Sequence, residues 1–206
     1  MDKINTDIPV FPLNGAILFP GTNLPLNIFE KRYIDMIDYA LSNEKTIGMI
    51  QMIENNKDLY KIGCLGKITS FVETDDGRYL VNLSGLNYFK IIKEISTKNK
   101  FRKFKVEYSE SENSKLDLLD EKLFSKSLLL DKFKLFFKNL ERNINFDSIK
   151  DIESTELIKM MAMVCPFTVT EKQLLLESMN INLLAKNLVS LFDFYINENK
   201  SSKSVN

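Results

Sequence analysis

Histidine and tryptophan are missing from this 206-residue chain, and it holds only two cysteines, five prolines and seven glycines. Without histidine there is no imidazole general base, no Ser-His or Cys-His pair and no usual nitrogen ligand for zinc. The mechanisms left are those that need no imidazole: a carboxylate pair, a Ser-Lys dyad or an acidic magnesium site. Cys64 and Cys165 form no C-x-x-C arrangement. One disulfide between them is compatible with the sequence, but two buried thiols in a reducing compartment are the expectation. Charge of one sign is also missing, because 28 basic residues offset 28 acidic ones. No global field therefore draws the chain to nucleic acid or to an anionic membrane. No apolar run approaches the ~20 residues that span a bilayer. The opening Met1-Asp2-Lys3-Ile4-Asn5-Thr6-Asp7 has neither the basic start nor the apolar stretch of a secretory signal, so the expected location is the cytoplasm.

What is present divides by period. Residues 1–112 read as β-rich, with short apolar or alternating runs broken by glycine, proline, asparagine and aspartate. Ile68 to Glu73 and Arg78 to Leu83 flank Asp75-Asp76-Gly77 and predict a hairpin, with Tyr79, Val81 and Leu83 on one face. Further strands are predicted over Leu86 to Ile95 and Phe101 to Tyr108. One helix is predicted from about Phe29 to Leu41, where Ile34, Ile37 and Leu41 recur at helical spacing. Pro9, Pro12, Pro20 and Pro25 suit edge strands and extended connections. Ser109 to Ser114 is polar and reads as a linker.

Residues 113–206 change to helical spacing. Leu116, Leu119, Leu123, Leu130, Phe133, Phe137 and Leu140 predict one long amphipathic helix. A second, through Leu157, Ile158, Met161 and Val164, should stop at Pro166. Thr168 and Glu171 form a capping box for a third. Leu184, Leu188, Leu191 and Tyr195 mark the last, and the polar tail from about 197 is expected to fray.

Four patterns invite chemistry. Gly63-Cys64-Leu65-Gly66-Lys67 is too short for a phosphate loop, with Ile68 where a magnesium-binding hydroxyl would stand, so its glycines are assigned to a bulge or close packing. Tyr88, Phe89, Lys90, Lys93, Lys98, Lys100, Phe101, Arg102, Lys103, Phe104 and Lys105 interleave bases and aromatics as single-stranded nucleic acid prefers. The same alternation also serves a sheet with aromatics inside and lysines in solvent. Met160, Met161 and Met163 suit a promiscuous binding face, but Met161 fits the apolar stripe and a helix core is the expectation; Asp117, Asp120, Glu121 and Lys122 are read as a solvated face rather than a catalytic pair.

Ile8-Pro9-Val10-Phe11-Pro12-Leu13, Leu18-Phe19-Pro20-Gly21 and Leu24 through Tyr33 closely resemble the opening signature of the Lon protease N-terminal substrate-binding family. Tyr60 to Cys64 with Lys67-Ile68, Asp76 to Tyr79, and Gly85 to Ile91 resemble its later blocks. Lys172, Gln173, Leu175, Leu176 and Glu177 resemble its K-Q-x-L-L-E element. Asn27, Lys31 and Asn87-Tyr88 depart from the family pattern. The resemblance implies an α+β chain: a PUA-like β pseudobarrel with one inserted helix, followed by an α-helical bundle. It also implies a non-catalytic module for unfolded or degron-bearing protein segments, a possible adaptor in protein quality control, with a full-length Lon protease as a further partner. No G-x-x-x-x-G-K-[ST] occurs, and no cofactor, metal or membrane is expected.

Phe29, Glu30, Lys31, Arg32 and Tyr33 are the candidate peptide-binding residues, with charge beside an apolar ring at a helix start. The alternative is that Phe29 and Tyr33 pack one turn apart while the charges are merely solvated. The rival function is RNA binding, by analogy with other PUA-like folds.

Overall fold

The computed structural model describes residues 5–53, 58–109, 118–142, 145–146 and 149–203. The chain is α+β. Its elements run β1 (Asp7–Pro12), β2 (Asn23–Ile28), α1 (Lys31–Leu41), β3 (Thr46–Ile50), β4 (Ile62–Glu73), β5 (Tyr79–Ile95) and β6 (Arg102–Tyr108), followed by α2 (Lys126–Asn139), α3 (Ser154–Val164), α4 (Val169–Glu177) and α5 (Ile181–Lys203). They form two compact units, one made of 1–111 with 166–176, the other of 112–165 with 177–206. The first unit thus takes in a segment that a linear division into 1–112 and 113–206 leaves with the helices.

In the first unit the six strands follow the order β2-β5-β4-β3-β1-β6, and β5 also pairs with β6. That second pairing closes β1, β3, β4, β5 and β6 into a ring and leaves β2 attached only to β5. The 17-residue β5 makes this possible by serving two neighbourhoods. Tyr79–Ser84 lies between β2 and β4, whereas Phe89–Ile95 pairs with β6. Between the two, the β4–β5 register shifts at Leu65/Gly66. Gly85 allows the close approach there, since a Cβ on it would lie 2.0 Å from the Phe19 carbonyl oxygen. The glycines of the Gly63-Cys64-Leu65-Gly66 stretch accordingly belong to packing and a bulge.

Inside the ring, Phe89 is buried among Ile8, Val10, Ile50, Leu65, Phe104 and Val106. Its ring lies against bare backbone: a Cβ on Gly63 would come within 2.6 Å of Phe89 Cζ, and one on Gly48 within 2.9 Å.

Pro9 and Pro12 lie in β1, which is flanked by β3 and β6 and is no edge strand. The contradiction is resolved by the register. Asp7–Val10 pairs with β6 and Val10–Pro12 with β3, so the partners overlap only at Val10 and each half of β1 keeps one open side. Pro25 does lie in an edge strand, β2.

The second unit is organised by aromatic rings. Phe133 packs edge-on against Phe137 with centroids 4.8 Å apart, and Phe136 lies 5.3 Å from Phe192. Helix α2 is shorter than the leucine spacing predicts, because Ser125 caps it and its Oγ accepts from the Leu128 amide at 3.3 Å. Leu119 and Leu123 therefore precede the helix, Leu116 and most of the Ser109–Ser114 linker lie outside the described residues, and Asn182 ties this approach down through Asp120 N and Leu118 O. Helix α5 continues to Lys203, past the point where a frayed tail is expected, since polar residues extend a helix whose apolar face has already packed. Both cysteines are buried thiols with no disulfide between them.

Candidate functional site

Beyond the register shift at Leu65/Gly66, β2, the first half of β5 and the last part of β4 form a three-stranded arm. Its inner face is apolar and covered, with Tyr79, Val81, Leu83, Leu26 and Ile28 all buried. Tyr79 also donates its hydroxyl to Asp38 Oδ1 of α1 at 3.0 Å. The outer face is different. Val72 and Leu80 stand opposite each other in the register, and they are 56% and 45% exposed. Leu80 is also opposite Asn27 of β2. Phe29 continues the alternation of Asn27 just past the strand end and is 68% exposed. Large contiguous apolar patches on a solvent face mark interaction sites, whereas single exposed apolar residues are ordinary.

Three ion pairs lie near the strip. Arg32 reaches Glu30 with N···O distances of 2.9–3.0 Å, Lys31 pairs with Asp35 at 3.0 Å, and Arg78 pairs with Asp76 at 2.7 Å. The Arg78 guanidinium and the Thr74 hydroxyl hold the Asp76 carboxyl down at about 2.

Of the sequence candidates, Phe29 points to solvent, Glu30 occupies the N-cap position of α1, and Lys31 and Arg32 lie in its first turn. Tyr33 is buried, edge-on to Phe11 at 4.5 Å, with the Arg32 guanidinium 4.4 Å from its ring centre. Burial pushes the Tyr33 phenol up. Phe29 and Tyr33 thus face different surroundings. Val72 and Leu80 were not singled out by the sequence reading. The signal was there, since placing Tyr79, Val81 and Leu83 inside leaves Leu80 outside.

Burial, with a smaller contribution from the Asp38 hydrogen bond, pushes Tyr79 up to about 12. A phenol raised in the folded state contributes stability that is complete below its unfolded value of about 10 and is lost as pH rises through the folded value. Urea unfolding at about pH 9 and about pH 11.5 should therefore show a loss at the higher pH that Tyr79→Phe reduces. An equal loss in both proteins would remove Tyr79 as its source.

Three of the rings in the basic-aromatic strands are turned inward. Phe89, Phe101 and Phe104 are buried, so their rings cannot stack on bases, and Arg102 is held in two hydrogen bonds of 2.8 Å by Glu94. Lys172, Gln173, Leu175 and Leu176 of the K-Q-x-L-L-E element are buried too. Gln51 Nε2 donates to Val169 O and Gln173 Oε1, both at 3.1 Å, while Gln173 Nε2 donates to Ile62 O at 3.1 Å. These bonds fasten 166–176 to the strands of the first unit. The expected capping box is present, with Glu171 N donating to Thr168 Oγ1 at 3.3 Å and Thr168 N to Glu171 Oε2 at 2.8 Å. Among the described residues, no three carboxylates or thiols are grouped to hold a metal, and no helix is long and apolar enough to cross a membrane.

A family model described as the ATP-dependent protease La (LON) substrate-binding domain matches residues 7–192. Among curated relatives, the Lon protease of Flavobacterium johnsoniae is 28% identical over 189 residues, covering 85% of this chain and 22% of the relative. That of Bacillus thuringiensis is 24% identical over 204 residues, covering 93% and 25%. Among solved structures, a Lon N-terminal domain protein from Xanthomonas campestris superposes with a TM-score of 0.65 at 19% identity, covering 90% of this chain and 98% of the other. The N-terminal domain of the Mycobacterium avium complex Lon protease gives 0.65 at 18%, covering 91% and 98%. The chain spans about a quarter of the length of the two curated relatives.

Proposed function

From the premise that this chain belongs to the Lon substrate-binding domain family, we propose that it is a non-catalytic cytoplasmic module that binds unfolded or degron-bearing polypeptide segments. The observation that carries this reading is the exposed apolar strip of Phe29, Val72 and Leu80, beside which Glu30 pairs with Arg32 and Asp76 with Arg78. A surface of this kind favours apolar chain that a folded protein keeps inside. Phe29 is the direct contact. The Glu30–Arg32 pair and Lys31 form its polar rim, and Tyr33 anchors the turn from beneath. In this role the module is an adaptor in protein quality control, holding segments for degradation, with a full-length Lon protease as its partner.

The test is a titration with a fluorescent, permanently unfolded carboxymethylated reporter protein, and separately with a single-stranded RNA, each at low and high salt. The reporter should bind with an affinity that changes less than about threefold with salt, because no net charge is neutralised on binding. Binding of the RNA alone, abolished by salt, would overturn the proposal.

A further inference from the structure

The arm has two outer edges, and they differ. On the β2 side, Pro25 sits in mid-strand and has no N–H to offer, which blunts that edge against an added strand. On the other side, β4 parts from β3 after the Thr46–Lys67 pair, the last bond being Ile68 N to Lys45 O at 2.7 Å. Lys45, with a φ of 58°, turns the chain away there. Among the described residues no strand occupies the lane beside Thr69–Glu73, and all five residues are exposed.

The hydrogen-bond phase shows what that lane offers. Thr74 N donates to Arg78 O at 2.9 Å, so these two form a bonded pair. Bonded and non-bonded pairs alternate in an antiparallel ladder, so Val72–Leu80 and Ser70–Asn82 are bonded as well. The N–H and C=O of Phe71 and Glu73 then point away from β5, into the open lane. No proline or glycine interrupts Thr69–Glu73, and Glu73 is its only charged residue. Apolar side chains stand on both faces, Phe71 against the Tyr79 ring at 4.7 Å on one and Val72 beside Leu80 on the other.

Resting on the function proposed above, we infer that the distal edge of β4 takes an extended client segment as an added strand, in the lane β3 leaves. Backbone hydrogen bonds at Phe71 and Glu73 supply an affinity that is blind to sequence, and the flanking apolar residues select the client. The client that fits is an extended, proline-free and largely uncharged segment, with a basic residue tolerated opposite Glu73.

Residue-resolved amide hydrogen exchange with and without the carboxymethylated reporter tests this on the unaltered protein. At saturation the Phe71 and Glu73 amides should exchange at least about tenfold more slowly, while Ser70 and Val72, already in the ladder, should not change. Phe71→Pro removes one outward donor along with the ring, and should weaken reporter binding about fivefold more than Phe71→Ala, which keeps the donor. If the reporter binds but Phe71 and Glu73 exchange as before, or the two variants bind alike, the added strand is refuted and the binding function stands. If the reporter does not bind, both fall together.

Discussion

Replacing Phe29, Val72 and Leu80 together by serine should weaken binding of an unfolded reporter by about 2–4 kcal/mol, roughly thirty- to a thousandfold, if they are the hot spots of the surface. The expectation follows from position. Val72 and Leu80 are paired across two strands and Phe29 continues the same face, so one client segment meets all three. Stability should hardly move, because the three are exposed and substitutions at such sites usually stay within about 0.5 kcal/mol each. A variant that unfolds at the same urea concentration but binds as before would show that clients attach elsewhere. The charged neighbours should matter far less, since the Glu30–Arg32 pair is solvent-exposed and such pairs contribute about 0–1 kcal/mol.

Phe89→Ala should have the opposite profile, lowering the stability of the first unit by about 3–5 kcal/mol. Phe89 is fully buried, and the strands around it are built for its ring, with Gly48 and Gly63 bare beneath it. Alanine leaves a void that these glycines have no side chains to fill. Against a typical total of about 5–15 kcal/mol the loss is large. Phe89→Leu should cost noticeably less, because it keeps most of the apolar volume. Urea unfolding followed by circular dichroism measures both. A loss below about 1 kcal/mol for the alanine variant would mean the ring closes over the gap.

Much of this was legible in the sequence. The hairpin at Asp75-Asp76-Gly77 is present, with Gly77 at a φ of 78°, and Tyr79, Val81 and Leu83 share the buried face. Helix α1 begins two residues later than the apolar spacing suggests and ends at the expected Leu41. Other features depend on pairing, which periodicity does not contain. The strands over Arg78 to Leu83 and Leu86 to Ile95 read as two elements because Ser84 and Gly85 look like a break, yet β5 runs through them. Whether β1 is an edge depends on how far two partners overlap along it, not on its own composition. At the candidate site, Phe29 stood out because an aromatic beside charges is conspicuous. Val72 and Leu80 did not, because a single apolar residue on an outer face is ordinary until its cross-strand partner is known. Gln51 and Gln173 are 122 positions apart, and no local pattern links them.

That separation also has a consequence in time. During synthesis at ~5–20 residues per second, Gln51 is added to the chain about 6–25 s before Gln173. From the completion of the last strand at Tyr108 until Gln173 is added, the buried amide of Gln51 lacks its Val169 and Gln173 acceptors and the Ile62 carbonyl lacks its donor. Helices α2 and α3 emerge meanwhile, as a loop that must stay open at its far end. The first part of the chain to be made thus cannot finish folding until residues 166–176 follow it, and a fragment cut after residue 111 would carry the same defect permanently.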